Sequence, residues 1–276
     1  MSASASALIA ALLLATTNAA LAQGGSPGAA PRTLLVVFAH ADDEAPIAPI
    51  LARYAREGVR VHMLIASDGS AGGRPREVRP DSNPGGQELA RVRAEEARCA
   101  AQALGITQPL IQLGFPDGKL GDYVGDRSLL YRLTGKIAEE MQRLRPDAVV
   151  TWGPDGGYGH PDHRMVSNIV TQLLRARAPG VPERAFYMNL QADAIRAMYP
   201  QRGAPPLLIP EAKYFTVRVP FAAEDLAAAK RSMLCHRTQF TEAVAARVFP
   251  LMEKSWGGAV LLIPASGGAG GTDLFS

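Results

Sequence analysis

The feature that most constrains this chain is an apolar run, Leu34 to Phe38, that breaks off into His40, Asp42, Asp43 and Glu44. Five consecutive apolar residues, with two valines and a phenylalanine among them, read as a strand buried on both faces of a parallel sheet. In open α/β sheets the carboxyl ends of strands face the ligand crevice. Acids and a histidine placed there are reasonable if a divalent cation neutralises them, because buried charges must be paired or metal-bound. The competing reading is an acidic helix start, where Asp and Glu suit the helix dipole.

Further elements alternate along the chain. Ala45 to Glu57 reads as a helix closed by Gly58, with Pro46 in its first turn and Pro49 required to sit there too or perturb it. Val59 to Ala66 reads as a second strand, leading into the Gly/Ser loop Ser67 to Gly73. Arg74 to Gly86 reads as an irregular substrate-side loop, and Gln87 to Leu104 as a helix ended by Gly105. Leu110 to Leu113 is a short strand before the turn Gly114 to Gly118. Leu129, Leu133, Ile137, Met141 and Leu144 hold helical spacing before Pro146, and Ala148 to Trp152 is the next buried strand. Such alternation predicts an α/β, Rossmann-like, mostly parallel sheet with helices on both faces. Tyr214 to Val219 reads as a strand, Ala222 to Leu234 as a helix and Ala259 to Ile263 as a last strand. Pro205 to Pro210 reads as a lid or a subunit contact, and Gly267 to Gly271 as mobile tail.

The strand Ala148–Trp152 runs into Gly153-Pro154-Asp155-Gly156-Gly157-Tyr158-Gly159-His160-Pro161-Asp162-His163. Helical spacing from Val166 to Leu174 puts Pro161 at the first helical position, His160 at the cap and His163 one turn in. The glycines allow the backbone to come close to a ligand. A second histidine cluster at a strand end turns two ambiguous segments into one candidate centre. A catalytic zinc takes three protein ligands and leaves one position open. His40, Asp43 and His163 supply two imidazoles and a carboxylate. Asp42 is placed to take the proton of the attacking water, and His160, oriented by a carboxylate such as Asp162, to stabilise or protonate the oxyanion.

His40-Ala41-Asp42-Asp43-Glu44 and Gly159-His160-Pro161-Asp162-His163 resemble the two signature motifs of the LmbE-like, or PIG-L, zinc-dependent de-N-acetylases. Ala41 stands where the family usually has proline, and the family's Gly-Gly after Glu44 is missing. Arg93-Ala94-Glu95-Glu96, Leu113 to Gly118, and Lys230 to Gln239 fit as well, so the resemblance spans about Leu34 to Gln239. It implies one zinc per chain at His40, Asp43 and His163, with Asp42 as general base and His160 on the oxyanion side. It implies substrates with an N-acetylglucosamine-like group, free or conjugated, and makes Arg93 a substrate-contacting residue. A plain helix-surface arginine is the other reading of Arg93. His236 belongs either at the pocket rim, as a second substrate-binding residue, or at a helix end as a capping or buried group. His62 reads as structural. A zinc amidase for a larger acyl amide of a sugar or thiol conjugate, and a zinc- or carbohydrate-binding module without turnover, are the alternatives.

Composition trims the field. The chain has 276 residues and is 47% hydrophobic, enough for one large α/β domain. Its net charge is +3 with no basic run, which gives nucleic-acid binding little support. No Gly-x-Gly-x-x-Gly follows the first strand, which disfavours a dinucleotide enzyme. Residues 1–22 carry a short apolar core and the small-residue pattern Ala20-Leu21-Ala22, and read as a signal peptide. No cysteine follows Ala22, so export without a stable membrane anchor is expected. Residues 23–32 read as a flexible leader, 33–265 as a single catalytic domain and 266–276 as a Gly-rich tail. Cys99 and Cys235 are either bridged or buried thiols, and a homo-oligomer is left open.

Overall fold

The computed structural model describes residues 30–72, 85–122, 124–190, 210–267 and 270–276. The expected signal peptide, most of the irregular 74–86 loop and most of the Pro-rich 205–210 stretch lie outside them. Pro31–Ser276 form one compact unit. Its strands are β1 (Thr33–Phe38), β2 (Arg60–Ser67), β3 (Ile111–Phe115), β4 (Ala148–Trp152), β5 (Arg184–Met188), β6 (Val217–Pro220) and β7 (Ala259–Pro264). Its helices are α1 (Ala48–Arg56), α2 (Gly86–Ala103), α3 (Arg127–Leu144), α4 (Pro161–Arg175), α5 (Ala223–Cys235) and α6 (Glu242–Trp256).

The strands form one sheet in the order β3-β2-β1-β4-β5-β7-β6. The first five are parallel, whereas β7 runs antiparallel to both β5 and β6. Strand β1 is buried along its whole length, as its uninterrupted apolar run requires. Its side chains alternate between two cores: Leu34, Val36 and Phe38 in one, Leu35, Val37 and Ala39 in the other. Apolar residues of α1, α2, α5 and α6 belong to the first core, and those of α3 and α4 to the second.

Chain order departs to the two sides of β1, toward β2 on one and β4 on the other. A crevice must open at that reversal, past the carboxyl ends of β1 and β4. Register Val37↔Thr151 and the bond from Thr151 Oγ1 to the Val37 carbonyl (2.8 Å) lock the two strand ends side by side.

Three expectations need correction. The helix expected over Ala45 to Glu57 is broken into a 3-10 turn, Ala45–Ile47, and α1. Each piece carries one proline at its first turn, the position where a missing N–H costs nothing. Strand β5 and helix α6 arise where no element was expected. The tail, expected to be mobile, is docked in its described part. Arg218 N–H donates to the Gly271 carbonyl (2.8 Å), and Leu274 is buried with its N–H on the Tyr54 hydroxyl (3.0 Å). Glycine content concealed two apolar anchors, Leu274 and Phe275; the latter packs edge-on against Tyr54 and under the Arg32 guanidinium. No helix among the described residues is long and apolar enough to cross a membrane.

Burial pushes the Tyr54 hydroxyl well above the ordinary tyrosine range, more than the Leu274 amide draws it down. The folded chain then keeps this proton where the unfolded chain releases it, so stability is lost as pH rises above about 10. Tyr54→Phe should flatten that alkaline decline in melting temperature; an unchanged decline would assign it to other groups.

Candidate metal and active site

His40 to Glu44 leave β1 as a tight turn in which every acid faces a different partner. Asp43 Oδ2 accepts from the backbone N–H groups of Ala39 (2.8 Å) and His40 (3.0 Å). Those bonds orient Oδ1 toward His163 Nε2 (3.1 Å) and His40 Nδ1 (3.6 Å), and the two ring nitrogens stand 3.0 Å apart. Three donor atoms separated by 3.0 to 3.6 Å match one face of a tetrahedron. Ligands at roughly 2.0–2.1 Å from a tetrahedral ion stand roughly 3.3 Å apart.

The far sides of both rings are spoken for. His163 Nδ1 donates to the Gly156 carbonyl (3.1 Å), which leaves the Nε2 lone pair facing inward. His40 Nε2 meets Asp117 Oδ1 (3.1 Å) and Asp162 Oδ2 (3.3 Å), which sets Nδ1 as its inward donor. Two imidazole nitrogens and a carboxylate oxygen converging on one point repel one another unless a proton or a metal cation lies between them. The donor set therefore fits a divalent metal, with carboxylates behind His40 as such ligands usually have.

Two other groupings are close enough to consider: His40 with His160 and His163, and His40 with Asp117 and Asp162. Neither competes well. His160 Nδ1 already accepts the Asp162 N–H (3.2 Å), and Asp117 and Asp162 meet the nitrogen of His40 that faces away from the donor triangle.

Charge follows geometry. Burial disfavours ionised Asp43, but His163 and His40 outweigh it and hold the carboxyl well below the usual range. Burial likewise opposes a charged His40, yet Asp117, Asp162 and Asp43 raise its pKa well above the ordinary value. His160 is the reverse case: burial, then the neighbouring His40 and His163, lower its pKa to about 4. Its ring is neutral at pH 7, and with Nδ1 accepting, its Nε2 carries the proton.

Helix α4 begins as expected, with His160 as cap and Pro161 first. Packing requires two of the glycines before it. Gly156 and Gly157 sit at φ +75° and +73°, and a β-carbon on Gly157 would lie 2.6 Å from the Trp152 ring. That ring stacks on His163 at 4.3 Å and 6°, fixing the plane of the ligand imidazole.

Asp162 does not orient His160 as expected. It is fully buried, accepts from the N–H groups of Gly118 (2.8 Å) and Leu120 (3.0 Å), and backs His40 instead. Its backbone N–H, two residues past His160, donates to that ring, whereas its side chain turns to His40, Gly118 and Leu120.

The two expected substrate contacts also lie elsewhere. Arg93 is 3% exposed, and its Nη2 donates to Asp42 Oδ1 at 2.7 Å. His236 is fully buried at the end of α5, where its Nε2 meets Glu44 Oε1 (2.7 Å), which also accepts from Ser232 Oγ (2.8 Å). Burial opposes the charged His236 ring, but Glu44 more than offsets it and raises the pKa. Removing one partner of such a buried pair costs roughly 3–5 kcal/mol, since the other charge is stranded. His236 lies inside together with its acid, Glu44.

Asp117, to which no role was assigned from sequence, also borders the site. It sits in the Phe115-Pro116-Asp117-Gly118 turn after β3, accepts the Ala71 N–H (3.0 Å) and backs His40. Its signal was an acid in a turn at a strand's carboxyl end. Helix α6 was missed as well. Its Val248 and Met252, with Phe240, Leu190, Pro46 and Trp152, wall a cavity of about 90 Å³ that His40, Asp42, Asp43 and His163 also line.

An α/β sheet that gathers two histidines and an aspartate beside a partly exposed carboxylate at its switch point has the arrangement that metal-assisted hydrolysis uses. Residues 35–174 match the family described as PIG-L, GlcNAc-PI de-N-acetylase, and the chain belongs to that family of amide-hydrolysing enzymes. It is 31% identical to the 1D-myo-inositol 2-acetamido-2-deoxy-alpha-D-glucopyranoside deacetylase 2 of Catenulispora acidiphila, over 78% of this chain and 82% of the relative. Its fold resembles the N,N'-diacetylchitobiose deacetylase of Pyrococcus horikoshii, with a TM-score of 0.56 and 18% identity over 84% of this chain and 82% of that one. It also resembles the 4-carboxy-2-hydroxymuconate hydratase of Pseudomonas putida KT2440, with a TM-score of 0.51 and 16% identity over 84% and 95%. The last likeness shows that the fold alone does not select the chemistry.

Replacing Asp117 by Asn should weaken zinc binding by roughly 10–100-fold, the usual effect of losing a carboxylate behind a ligand histidine. Competition with a chromogenic chelator measures it, and an unchanged affinity would detach Asp117 from the centre.

Proposed function

We propose that this protein is a zinc-dependent hydrolase that removes the acetyl group from an N-acetylglucosamine-like sugar or its conjugate. The observation that carries the reading is Asp42: a 24% exposed carboxylate lining the same small cavity as His40, Asp43 and His163. Binding alone would need no base there. The Catenulispora relative, named for an inositol-linked acetamido sugar, supports the substrate class.

His40, Asp43 and His163 would hold the zinc, whose bound form supplies a Lewis acid that polarises the amide carbonyl and acidifies water. Asp42 takes a proton from the attacking water as its oxygen bonds to the carbonyl carbon. His160, neutral with its proton on Nε2, donates a hydrogen bond to the carbonyl oxygen as that oxygen gains charge. The amino end of α4 at Pro161 adds partial positive charge on the same side. Collapse breaks the C–N bond, and the proton held by Asp42 passes to the departing amine. Water and amide thus become carboxylic acid and amine.

A second reading keeps the site and enlarges the acyl group. The apolar wall of Phe240, Val248, Met252 and Leu190 beside the donors supports it. A panel of sugars bearing acetyl and longer acyl amides separates the two by which acid is released. Asp42→Ala should lower turnover by about 10²–10⁴-fold while zinc content stays at one per chain. Zinc binding without hydrolysis across the panel by the unaltered chain would leave only a binding module.

The same reading places the chain outside the cytoplasm. The apolar core of residues 8–15 before Ala20-Leu21-Ala22 supports export, as does the Cys99–Cys235 disulfide, with Cα atoms 5.7 Å apart. Amino-terminal sequencing of the native protein should begin at Gln23; an intact Met1 would overturn export.

A further inference from the structure

We propose that the Cys99–Cys235 disulfide is a modification site for small anionic thiols, and that opening it slackens one wall of the metal cavity. The inference rests on the reading of that cavity as the hydrolytic site. Cys99 lies on α2 and Cys235 is the last residue of α5, with Cα atoms 5.7 Å apart and a sequence separation of 136. Cys99 is exposed and Cys235 half-buried, so solvent reaches the bond. A cleft of about 440 Å³ runs beside it, lined by both cysteines, Val92, Leu234, Arg231 and Arg237. Two glutamates line it too but are committed elsewhere. Glu95 accepts from Arg91 (2.8 Å), and Glu96 accepts from Thr238 N–H (2.9 Å) and Thr238 Oγ1 (2.7 Å). Neither Arg231 nor Arg237 forms an ion pair among the described residues. Their charge draws in a thiol that carries carboxylates and favours thiolate, the form that reacts.

The bond anchors a strap that reaches the site. Directly after Cys235, His236 Nε2 meets Glu44 Oε1 (2.7 Å), the neighbour of Asp43. Phe240, whose N–H donates to the His236 carbonyl (2.7 Å), lines the metal cavity. Thr241 then caps α6, which adds Val248 and Met252 to the same wall. Without the disulfide, α2 grips this strap through the bonds at Glu96 and no longer through a covalent link. The exchange itself is balanced by the thiol. Its thiolate attacks the Cys99 sulfur, a new S–S bond forms there, and the old one breaks with its electron pair leaving on Cys235, which takes a proton from water. A second thiol molecule attacks the outer sulfur and departs with the first as their disulfide. The chain is thereby reduced and the small thiol oxidised.

The test uses the full zinc-loaded chain in buffers of varied reduced and oxidised glutathione, a tripeptide thiol bearing carboxylates. Mass spectrometry should find a single glutathionyl adduct, at Cys99, on the folded chain, and amide hydrogen exchange over 236–240 should rise. A misplacement of about 1 Å costs roughly 100-fold in rate, so turnover of an N-acetylglucosamine conjugate should fall by about 10–100-fold at constant zinc content. Oxidised glutathione should restore it. A disulfide that yields only as the chain unfolds overturns the proposal. Full turnover by the reduced, folded chain does so as well, since the bond would then only stabilise. Cys99→Ser/Cys235→Ser should match the reduced chain and ignore glutathione; an equal thiol-dependent loss there would be zinc stripping and refute the idea. Should that variant fail to fold, the reduced chain with both thiols alkylated takes its place. If the oxidised chain hydrolyses no acetamido sugar, the hydrolase reading fails, and the adduct with hydrogen exchange over 236–240 still decides this one.

Discussion

Parallel pairing of β1 with β4 is the constraint from which the site follows. The two strands are 114 residues apart where Thr151 Oγ1 bonds the Val37 carbonyl, yet their carboxyl ends finish together. Each then releases a polar loop into the same crevice, because the chain turns to opposite sides of β1 at that point. His40 and Asp43 come from one loop and His163 from the other, so no donor set exists until the sheet has formed.

That arrangement gathers several carboxylates, and the architecture answers each with a nitrogen partner. Asp42 has Arg93, Asp43 has His163 and His40, Glu44 has His236, and Asp117 and Asp162 share His40. Most of these partners come from elements far along the chain. Buried charge without such partners would be prohibitive, whereas paired charge holds each side chain in one orientation. Preorganised orientation is what a hydrolytic site needs, since a rotating base or ligand forfeits rate. The C-terminal half contributes by clamping: α5 supplies His236, and Thr238 just beyond it ties down Glu96 of α2, the helix that carries Arg93.

Legibility varied with how local the cause was. Strand β4 has the expected ends, and the cap at His160 with Pro161 first was readable, because apolar runs and proline positions act within a few residues. The ligand trio converges as two motifs at strand ends imply. Helix α6 was hidden by Pro250 in its middle, although Thr241 caps it and Val244, Val248 and Met252 keep helical spacing. The tail was misread because its glycines masked Leu274, whose burial depends on Tyr54 from a distant helix. Strand β5, Arg184-Ala185-Phe186-Tyr187-Met188, lacks the β-branched apolar run of β4 and is made a strand by β4 and β7 on either side.

Residue order by itself determined the alternating α/β plan and the ligand and base candidates, because periodicity and residue chemistry are properties of short segments. Only the tertiary structure decided which partner each polar group has: Asp162 behind His40 rather than His160, Arg93 on Asp42, His236 on Glu44. Those pairings join residues 51 to 192 positions apart. Desolvation in a packed interior, not proximity along the chain, chooses among them.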